Sequence, residues 1–326
     1  MKAIVRDTYG PADVLKYVDT ARPEPGRGDV LVRVHAAGLD MGVWHLMEGV
    51  PYVMRPAIGL RAPKTRGLGT DVAGTVESVG ADVTRFRPGD RVFGTCGGGA
   101  FAEYACARED RLMPIPENLA FEPAAAIPTS AITALQALRD KGRVRAGQQV
   151  LVIGAGGGVG TYAVQLAKAF GAEVTGVCSA AKADLVRSIG AAEVVDYTRE
   201  DFADGRRRYD LIVDTAGNRP LSRLRRALTP RGTLVIVGGE GGGRWLSGLD
   251  RQLRTALLAP FARRRLRVVF AFPRESDLRQ LAELAGAGRF TPVIDRTFPL
   301  SEAPEAVRLL LRGQVRGKAV ITVPAG

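Results

Sequence analysis

The segment from Val150 to Lys182 restricts the possible fold of this chain more than any other stretch, since it joins a strand pattern, a glycine-rich turn and a helix pattern. Its sequence is VLVIGAGGGVGTYAVQLAKAFGAEVTGVCSAAK. An apolar run precedes the glycines, and an amphipathic run follows them and stops at Gly171. This order predicts a strand–turn–helix–strand unit whose helix directs its amino-terminal amides at a bound dinucleotide. A tight turn without any ligand is the alternative interpretation.

The spacing of the glycines departs from the G-x-G-x-x-G fingerprint of dinucleotide-binding folds by one methyl group. Counted back from Gly160, the fingerprint requires glycine where this chain has Ala155. Small residues still meet its three physical needs, which are a tight turn, backbone close to a pyrophosphate and a helix packed on a strand. We therefore expect the helix to begin near Val159 and the cofactor to contact Gly154, Gly156, Gly157, Gly158, Val159 and Gly160.

The chain as a whole shows two different patterns of apolar residues and turns. Residues 1–121 consist of short alternating runs between Gly and Pro turns, and Val30, Val32 and Val34 share one face of such a run, which predicts a β-barrel-like domain. Residues 122–272 alternate helices with six strands, the last of them at 267–271, which predicts a doubly wound parallel sheet of the Rossmann type. Residues 273–326 complete the first domain, and their last strand, in RGKAVITV, is expected to return to it. The predicted fold class is thus α/β with a second, β-rich domain.

Composition limits the class of protein further. The 326 residues are 46% hydrophobic, with no apolar stretch of the roughly 18 residues that a membrane span needs. Three scattered cysteines do not form a disulfide framework, so we expect a reducing, cytoplasmic location. The net charge of +12 permits a nucleic-acid surface, but aromatic residues are only 6% of the chain and are not interleaved with the arginines. A solvated basic surface is the favoured interpretation, and a nucleic-acid partner is not expected.

Several motifs resemble the medium-chain dehydrogenase/reductase superfamily, and most closely its zinc-independent branch of NADPH quinone oxidoreductases and reticulon-interacting-protein-like reductases. They are the glycine segment, ALTPRGTLVIVGG, TPVIDRTFPLSEAPEAVRLL and RGKAVITV. The resemblance implies a GroES-like catalytic domain, a Rossmann NADPH-binding domain, a cleft between them and a homodimer joined through Rossmann edge strands. It also implies further cofactor contacts from Ala216, Gly217, Val237, Gly238, Gly239, Phe270, Phe272 and Lys318.

The choice of dinucleotide depends on the end of the second Rossmann strand. An NAD-binding fold carries Asp or Glu about 20 residues beyond the glycines to hold the ribose 2′-hydroxyl. This chain has no acidic residue between Val177 and Lys182, so a 2′-phosphate meets no repulsion there. Ser179, Lys182 and Tyr197 are donors that the resemblance places on that phosphate, which favours NADPH. A helix-capping Ser179 and a solvated Lys182 are the alternatives.

A zinc site is not expected, because the positions of the zinc ligands hold other residues. Thr70 stands where the zinc-dependent relatives have His, and the chain contains only two histidines, His35 and His45. Catalytic zinc needs three protein ligands. Without a metal to polarise a carbonyl, the favoured acceptors are those whose reduced form delocalises negative charge. The sequence thus predicts hydride transfer from NADPH to a quinone or an α,β-unsaturated carbonyl.

Three residues are candidates for the substrate side of the reaction. The resemblance places Asp40 and Tyr52 in the substrate pocket and Thr133 near the nicotinamide. Their alternative roles are a capping Asp, an exposed loop Tyr and a buried helical Thr. Two other functions stay open from sequence alone: a zinc-free alcohol or aldehyde dehydrogenase, and a non-catalytic protein that binds NADPH or RNA.

Overall fold

The computed structural model describes residues 1–217, 219–238, 243–258 and 265–324. The chain divides into two compact units. The first comprises Met1–Ile132 and Pro273–Gly326, and the second comprises Thr133–Phe272. Within the described residues, no helix is long and apolar enough to cross a membrane.

Fifteen strands are present in the described part of the chain. They are β1 (Lys2–Val5), β2 (Lys16–Asp19), β3 (Asp29–Leu39), β4 (Asp71–Val79), β5 (Arg91–Thr95), β6 (Tyr104–Arg108), β7 (Leu112–Pro114), β8 (Gln149–Ile153), β9 (Glu173–Cys178), β10 (Glu193–Asp196), β11 (Tyr209–Asp214), β12 (Leu228–Ile236), β13 (Arg265–Val268), β14 (Ile294–Pro299) and β15 (Lys318–Thr322).

The α-helices of the same residues connect these strands. They are α1 (Met41–Glu48), α2 (Arg55–Ile58), α3 (Phe121–Ala126), α4 (Pro128–Leu135), α5 (Gly158–Ala169), α6 (Ala183–Ser188), α7 (Leu221–Ala227), α8 (Gly243–Leu246), α9 (Leu249–Leu258), α10 (Glu275–Gly286) and α11 (Ala303–Leu311). A π-helical turn, Gln136–Gly142, continues α4.

The first unit is built on the long strand β3. Its sheet has the order β14-β15-β3-β4-β5-β7, and β6 also pairs with β3. Val30, Val32 and Val34 point into the core of this unit, as their alternation predicts. Strand β15 runs antiparallel to β3 with Ala319 opposite Leu39. The last strand thus lies in the sheet of the first unit, beside β3.

The boundary between the units differs from the position that the sequence indicated. The change at residue 122 from short alternating runs to alternating helices and strands predicted that α3 belongs to the second domain. In the structure, α3 packs on β3 and β4 of the first unit. The contact is close because Gly38 has no side chain: a Cβ there would lie 2.3 Å from the carbonyl oxygen of Ala125. A helix that follows a run of strands in sequence thus still covers the sheet that those strands form.

The second unit is a six-stranded, wholly parallel sheet in the order β10-β9-β8-β11-β12-β13. This is the doubly wound order, with the chain reversing its direction of travel between β8 and β11. All six predicted strands are present. The last was expected at 267–271, but β13 ends at Val268, and Val269 makes the last bond to Ile236. An apolar run alone does not mark where the neighbouring strand stops offering partners.

A buried ion pair lies in the interior of the first unit. The Lys318 ammonium is 4.0 Å from a carboxylate oxygen of Asp71, and both side chains are about 99% buried or more. Lys318 also donates to the Ser130 hydroxyl at 3.0 Å, and the backbone N–H and hydroxyl of Thr129 donate to Asp71. Burial, followed by repulsion from Asp40, raises the pKa of Asp71 to about 7, although Lys318 and Thr129 oppose that rise.

We expect Lys318→Met to destabilise the fold more at high pH than at low pH. Because the pKa of Asp71 is raised, the folded chain binds this proton more tightly than the unfolded chain, and stability from this group falls as the pH rises towards 7. Removal of the ammonium raises that pKa further, so the loss should grow between pH 6 and pH 8.5, where it reaches about 3 kcal/mol. Urea denaturation at the two pH values measures it.

Ser130→Ala is the matched control, because it removes a hydrogen-bond partner of Lys318 and leaves both charges in place. Its effect on the free energy of unfolding should change little between the same two pH values. A loss for Lys318→Met that is equally independent of pH would contradict the coupling of Lys318 to Asp71.

Candidate cofactor site

The glycine turn lies at the carboxyl end of β8, at the edge of a parallel sheet where ligands of this fold class bind. Gly154 begins the turn with φ 82°, and the N–H groups of Gly154 and Ala155 both donate to Val177 at 3.0 Å, which ties the turn to β9. Gly157 is the N-cap of α5, and Gly158 is its first residue. The helix thus starts within one residue of the predicted position.

The glycines of the turn meet different neighbours. A Cβ on Gly160 would lie 2.0 Å from the Gly154 carbonyl oxygen, and one on Gly154 would lie 2.5 Å from the Thr215 hydroxyl. Both positions are therefore closed by packing. A Cβ on Gly157 would meet only the Gly154 carbonyl oxygen, at 3.3 Å, and its extended backbone (φ −98°, ψ 177°) suits any residue. The protein therefore restricts Gly157 less than it restricts Gly154 and Gly160.

The amino end of α5 presents the exposed part of the turn. Gly157, Gly158 and Val159 are partly exposed, whereas Gly156 and Gly160 are buried. The first N–H groups of an α-helix have no partner within the helix and carry its positive dipole end. This edge of the turn therefore supplies both the free donors and the field that an anionic group needs.

The predicted 2′-phosphate residues gather beside the turn. Lys182 immediately precedes α6, and its aliphatic stem packs against Gly156, where a Cβ would lie 2.8 Å from the Lys182 Cδ. Ser179 occupies the N-cap position of a short 3-10 turn, but its hydroxyl makes no capping hydrogen bond. The capping role considered for Ser179 is thus not formed. Tyr197 follows β10 with an exposed ring, and its N–H donates to the Cys178 carbonyl at 3.2 Å.

Two charged residues near these donors escaped prediction. The Arg219 guanidinium lies over the Tyr197 ring, 5.5 Å from its centroid. Asp196 stands on β10 directly opposite Cys178, and its pKa is lowered, first by the backbone N–H and then by the hydroxyl of Thr198. Asp196 is not one of the residues along β9, since it belongs to the neighbouring strand. Asp196 therefore places a carboxylate near the end of β9, with Arg199 3.9 Å away.

The ends of the next two strands meet at the same sheet edge. Asp214, at the end of β11, is buried, accepts a hydrogen bond from the Gly217 N–H and forms an ion pair with Arg251. Burial raises the pKa of Asp214, and Arg251 opposes that rise. The N–H groups of Val237 and Gly238 point back to the Asp214 carbonyl oxygen at 3.0 and 3.4 Å.

The remaining cofactor candidates are spread more widely. Ala216 follows β11 and is partly exposed, and Phe270 and Phe272 follow β13 with exposed rings. Gly239 lies outside the described residues. Lys318 belongs to the first unit, where its ammonium is engaged with Ser130 and Asp71. The structure thus groups the second-unit candidates at one edge of a sheet but holds Lys318 inside another core.

The three substrate-side candidates are also divided between the units. Asp40 caps α1, because one carboxylate oxygen accepts from the Gly42 N–H at 2.6 Å, and its other oxygen, Oδ2, is buried without a hydrogen-bond partner. Tyr52 is partly exposed beneath the Arg55 guanidinium, 4.2 Å from its ring centroid. Thr133 is partly buried on α4 in the second unit. The capping role considered for Asp40 is therefore formed.

The two histidines and the buried Cys96 are engaged locally. His35 stacks on Phe121 with ring centroids 4.2 Å apart, and the Nδ1 atom of His45 is 3.0 Å from the Val50 carbonyl oxygen. Burial raises the pKa of the Cys96 thiol to about 11. Throughout the part of the chain that the structure describes, no three His, Cys, Asp or Glu side chains gather as a metal ion would require.

Comparisons with known proteins agree with this architecture. Residues 26–117 match the alcohol dehydrogenase GroES-like domain, and residues 189–321 match the zinc-binding dehydrogenase domain. The chain is 33% identical to the chloroplastic quinone-oxidoreductase QR1 of Triphysaria versicolor, over 98% of each chain. It is also 33% identical to the mitochondrial NAD(P)H oxidoreductase RTN4IP1 of Mus musculus, over 99% of this chain and 89% of that protein.

A solved structure extends the agreement to the whole fold. The quinone oxidoreductase from Coxiella burnetii superposes with a TM-score of 0.85 at 32% identity, over 99% of each chain. Identity at this level along nearly the full length, together with the two matched domains, fixes the family. The chain belongs to the medium-chain dehydrogenase/reductase superfamily, in the branch that contains the quinone oxidoreductases.

Proposed function

We propose that this protein transfers hydride from NADPH to a quinone or an α,β-unsaturated carbonyl without a metal ion. The observation that carries the proposal is the glycine turn at the carboxyl end of β8, with Gly157 open to a ligand and Lys182 packed beside it. The relatives named as quinone oxidoreductases support the acceptor class, and the relative named as an NAD(P)H oxidoreductase supports the nicotinamide cofactor.

The residues of the second unit fit such a cofactor. The N–H groups at the start of α5 suit a pyrophosphate, which a helix N-terminus binds through free donors and its dipole. Lys182, Ser179 and Tyr197 suit the 2′-phosphate, and Arg219 adds a cation beside Tyr197. Gly217 and Gly238 keep the ends of β11 and β12 free of side chains. When bound, the nicotinamide supplies the hydride, and the protein supplies its position.

On the substrate side, Tyr52 is the stronger candidate of the first unit. The carboxylate of Asp40 holds the start of α1, so its first task is structural. The Tyr52 hydroxyl is a neutral donor of the kind that orients a carbonyl oxygen. A quinone or enone needs only such orientation, because its reduced form delocalises the charge that a plain alkoxide would concentrate on one atom.

The assembly and location of the protein are part of the same proposal. Strand β13 is an edge of the second unit's sheet, and an unpaired edge is a template for a second strand. Trp245, Leu253 and Leu257, on α8 and α9, expose apolar side chains in the same unit. We propose a homodimer through this edge, which light scattering would reveal, and a cytoplasmic location, where the three free cysteines stay reduced.

The proposed reaction is tested by NADPH oxidation with a panel of small quinones and enones, before and after dialysis against a strong chelator. We expect turnover with at least one acceptor class and no change after dialysis, since no ligand set gathers in the described residues. Turnover that is lost on dialysis and restored by zinc would contradict the metal-free reaction. Turnover confined to saturated alcohols with NADP⁺ would instead identify an alcohol dehydrogenase.

The role of the turn is tested by a pair of glycine variants. Gly157→Val should abolish measurable NADPH binding with only a small loss of stability, because a Cβ there meets the protein only at the Gly154 carbonyl oxygen. Gly160→Ala should do the reverse: its methyl would collide with the Gly154 carbonyl, so thermal stability should fall before affinity does. Cofactor titration and thermal unfolding of both variants measure the two effects. Unchanged NADPH affinity in folded Gly157→Val would show that this glycine serves packing alone.

The choice of dinucleotide is tested at Lys182. A hydrogen bond to a charged group contributes about 1.5–3 kcal/mol, or roughly 10–150-fold in affinity. Lys182→Ala should therefore weaken NADPH binding by about that factor and leave NADH binding nearly unchanged. Lys168→Ala removes the same charge at the far end of α5 and should affect neither cofactor. Equal losses of NADH and NADPH affinity in Lys182→Ala would mean that Lys182 supports the turn rather than a phosphate.

A further inference from the structure

A second concave site lies at the amino ends of the parallel strands of the second unit, opposite the glycine turn. A cavity of about 360 Å³ opens there beside a smaller one of about 180 Å³, and the two share Gly142, Arg143, Thr233 and Arg265. Gln148, which precedes β8, and Asp210, near the start of β11, also line the larger cavity. Strand β8 separates this edge from the turn by about 13 Å, at roughly 3.3 Å per residue.

The walls of the two cavities carry a strong excess of positive charge. Their cationic residues are Lys141, Arg143, Arg145, Arg231, Arg265 and Arg267. The one acidic lining residue, Asp210, already accepts from the Gln149 N–H at 3.1 Å and from the Thr229 hydroxyl at 3.2 Å. Among the described residues, none of the six cations has an ion-pair partner, whereas the neighbouring Arg139 pairs with Asp140. Like charges gathered without a counter-ion repel one another, and an anion would relieve that repulsion.

The backbone at Arg143 gives an independent reason to look for a ligand. Arg143 ends the π-helical turn in the left-handed region, with φ 51° and ψ 48°, and its N–H donates to the Leu138 carbonyl. Glycine is the usual residue at such a helix end, since it alone adopts this conformation without strain. An arginine here accepts a backbone cost that glycine would avoid, and this residue lines both cavities. Residues held in unfavourable backbone regions concentrate at binding sites.

We propose that these cavities bind a small polyanion that carries two or more phosphate groups, at a site separate from the cofactor. The guanidinium group matches phosphate oxygens in a two-pronged geometry, and five of the six cations are arginines. Among the described lining residues, none has an aromatic side chain on which a base would stack. This favours a compact phosphorylated molecule over a nucleic-acid strand.

The test is calorimetric titration of sodium tripolyphosphate into the full chain saturated with NADPH, so that the phosphate sites of the cofactor are already filled. We expect saturable binding of one tripolyphosphate per chain, weaker binding of inorganic phosphate and no release of NADPH. Arg143→Gly should weaken tripolyphosphate binding about tenfold, which equals about 1.4 kcal/mol. The same variant should be at least as stable as the parent, because it removes the backbone strain.

Arg231→Ala should weaken tripolyphosphate to a similar degree, whereas Arg312→Ala, which removes an exposed cation on the first unit, should not. Unsaturable binding, equal losses in Arg143→Gly and Arg312→Ala, or displacement of NADPH would overturn the proposal. The proposal would also be overturned if a single-stranded oligonucleotide displaced tripolyphosphate at a concentration below that at which tripolyphosphate itself binds. That result would assign the surface to nucleic acid.

Discussion

The second unit depends on one close approach, that of α5 to the carboxyl end of β8. Gly160 lies so near the Gly154 carbonyl that even a methyl group would be 2.0 Å from it. This contact sets where the helix begins and keeps its amino end at the sheet edge. The ends of β9, β11 and β12 then converge on the same edge through the parallel order of the sheet. The donors for a dinucleotide are thus arranged by packing, before any ligand is considered.

The two units differ in whether a group of charged side chains is paired within the chain. In the interior of the first, Asp71 and Lys318 are withdrawn from water and satisfied by each other, by Thr129 and by Ser130. Such a pair adds little net stability, but the loss of either member leaves a buried charge uncompensated. In the second unit, opposite the glycine turn, six cations line the two cavities and have no ion-pair partners among the described residues. The first arrangement is complete within the chain, whereas we propose that an anion from outside completes the second.

Several residues show why the candidate site could be predicted only in part from the sequence. Lys182 is a candidate for the 2′-phosphate by resemblance, and the structure packs its stem against the turn. Asp196 and Arg219 could not be inferred from the residues along β9, because Asp196 lies on β10 and Arg219 contacts the Tyr197 ring from the segment after β11. Asp40 was placed among the catalytic candidates by resemblance, yet its carboxylate caps α1. Thr133, a candidate near the nicotinamide, belongs to the second unit, and Lys318, a candidate cofactor contact, belongs to the first.

The sequence by itself determined the alternation of helix and strand, the position of the glycine turn and the return of the last strand, because these follow from hydrophobic periodicity and from residues whose backbone preferences act locally. Only the tertiary structure decided the boundary at α3, the burial of Lys318 against Asp71 and the grouping of arginines around Arg143. Each of these depends on residues distant in sequence that become neighbours when strands pair. Local backbone preferences carry no information about that pairing. The burial of a side chain is therefore decided only when the strands pair, and so are the pKa of Asp71 and the partner of each charged group.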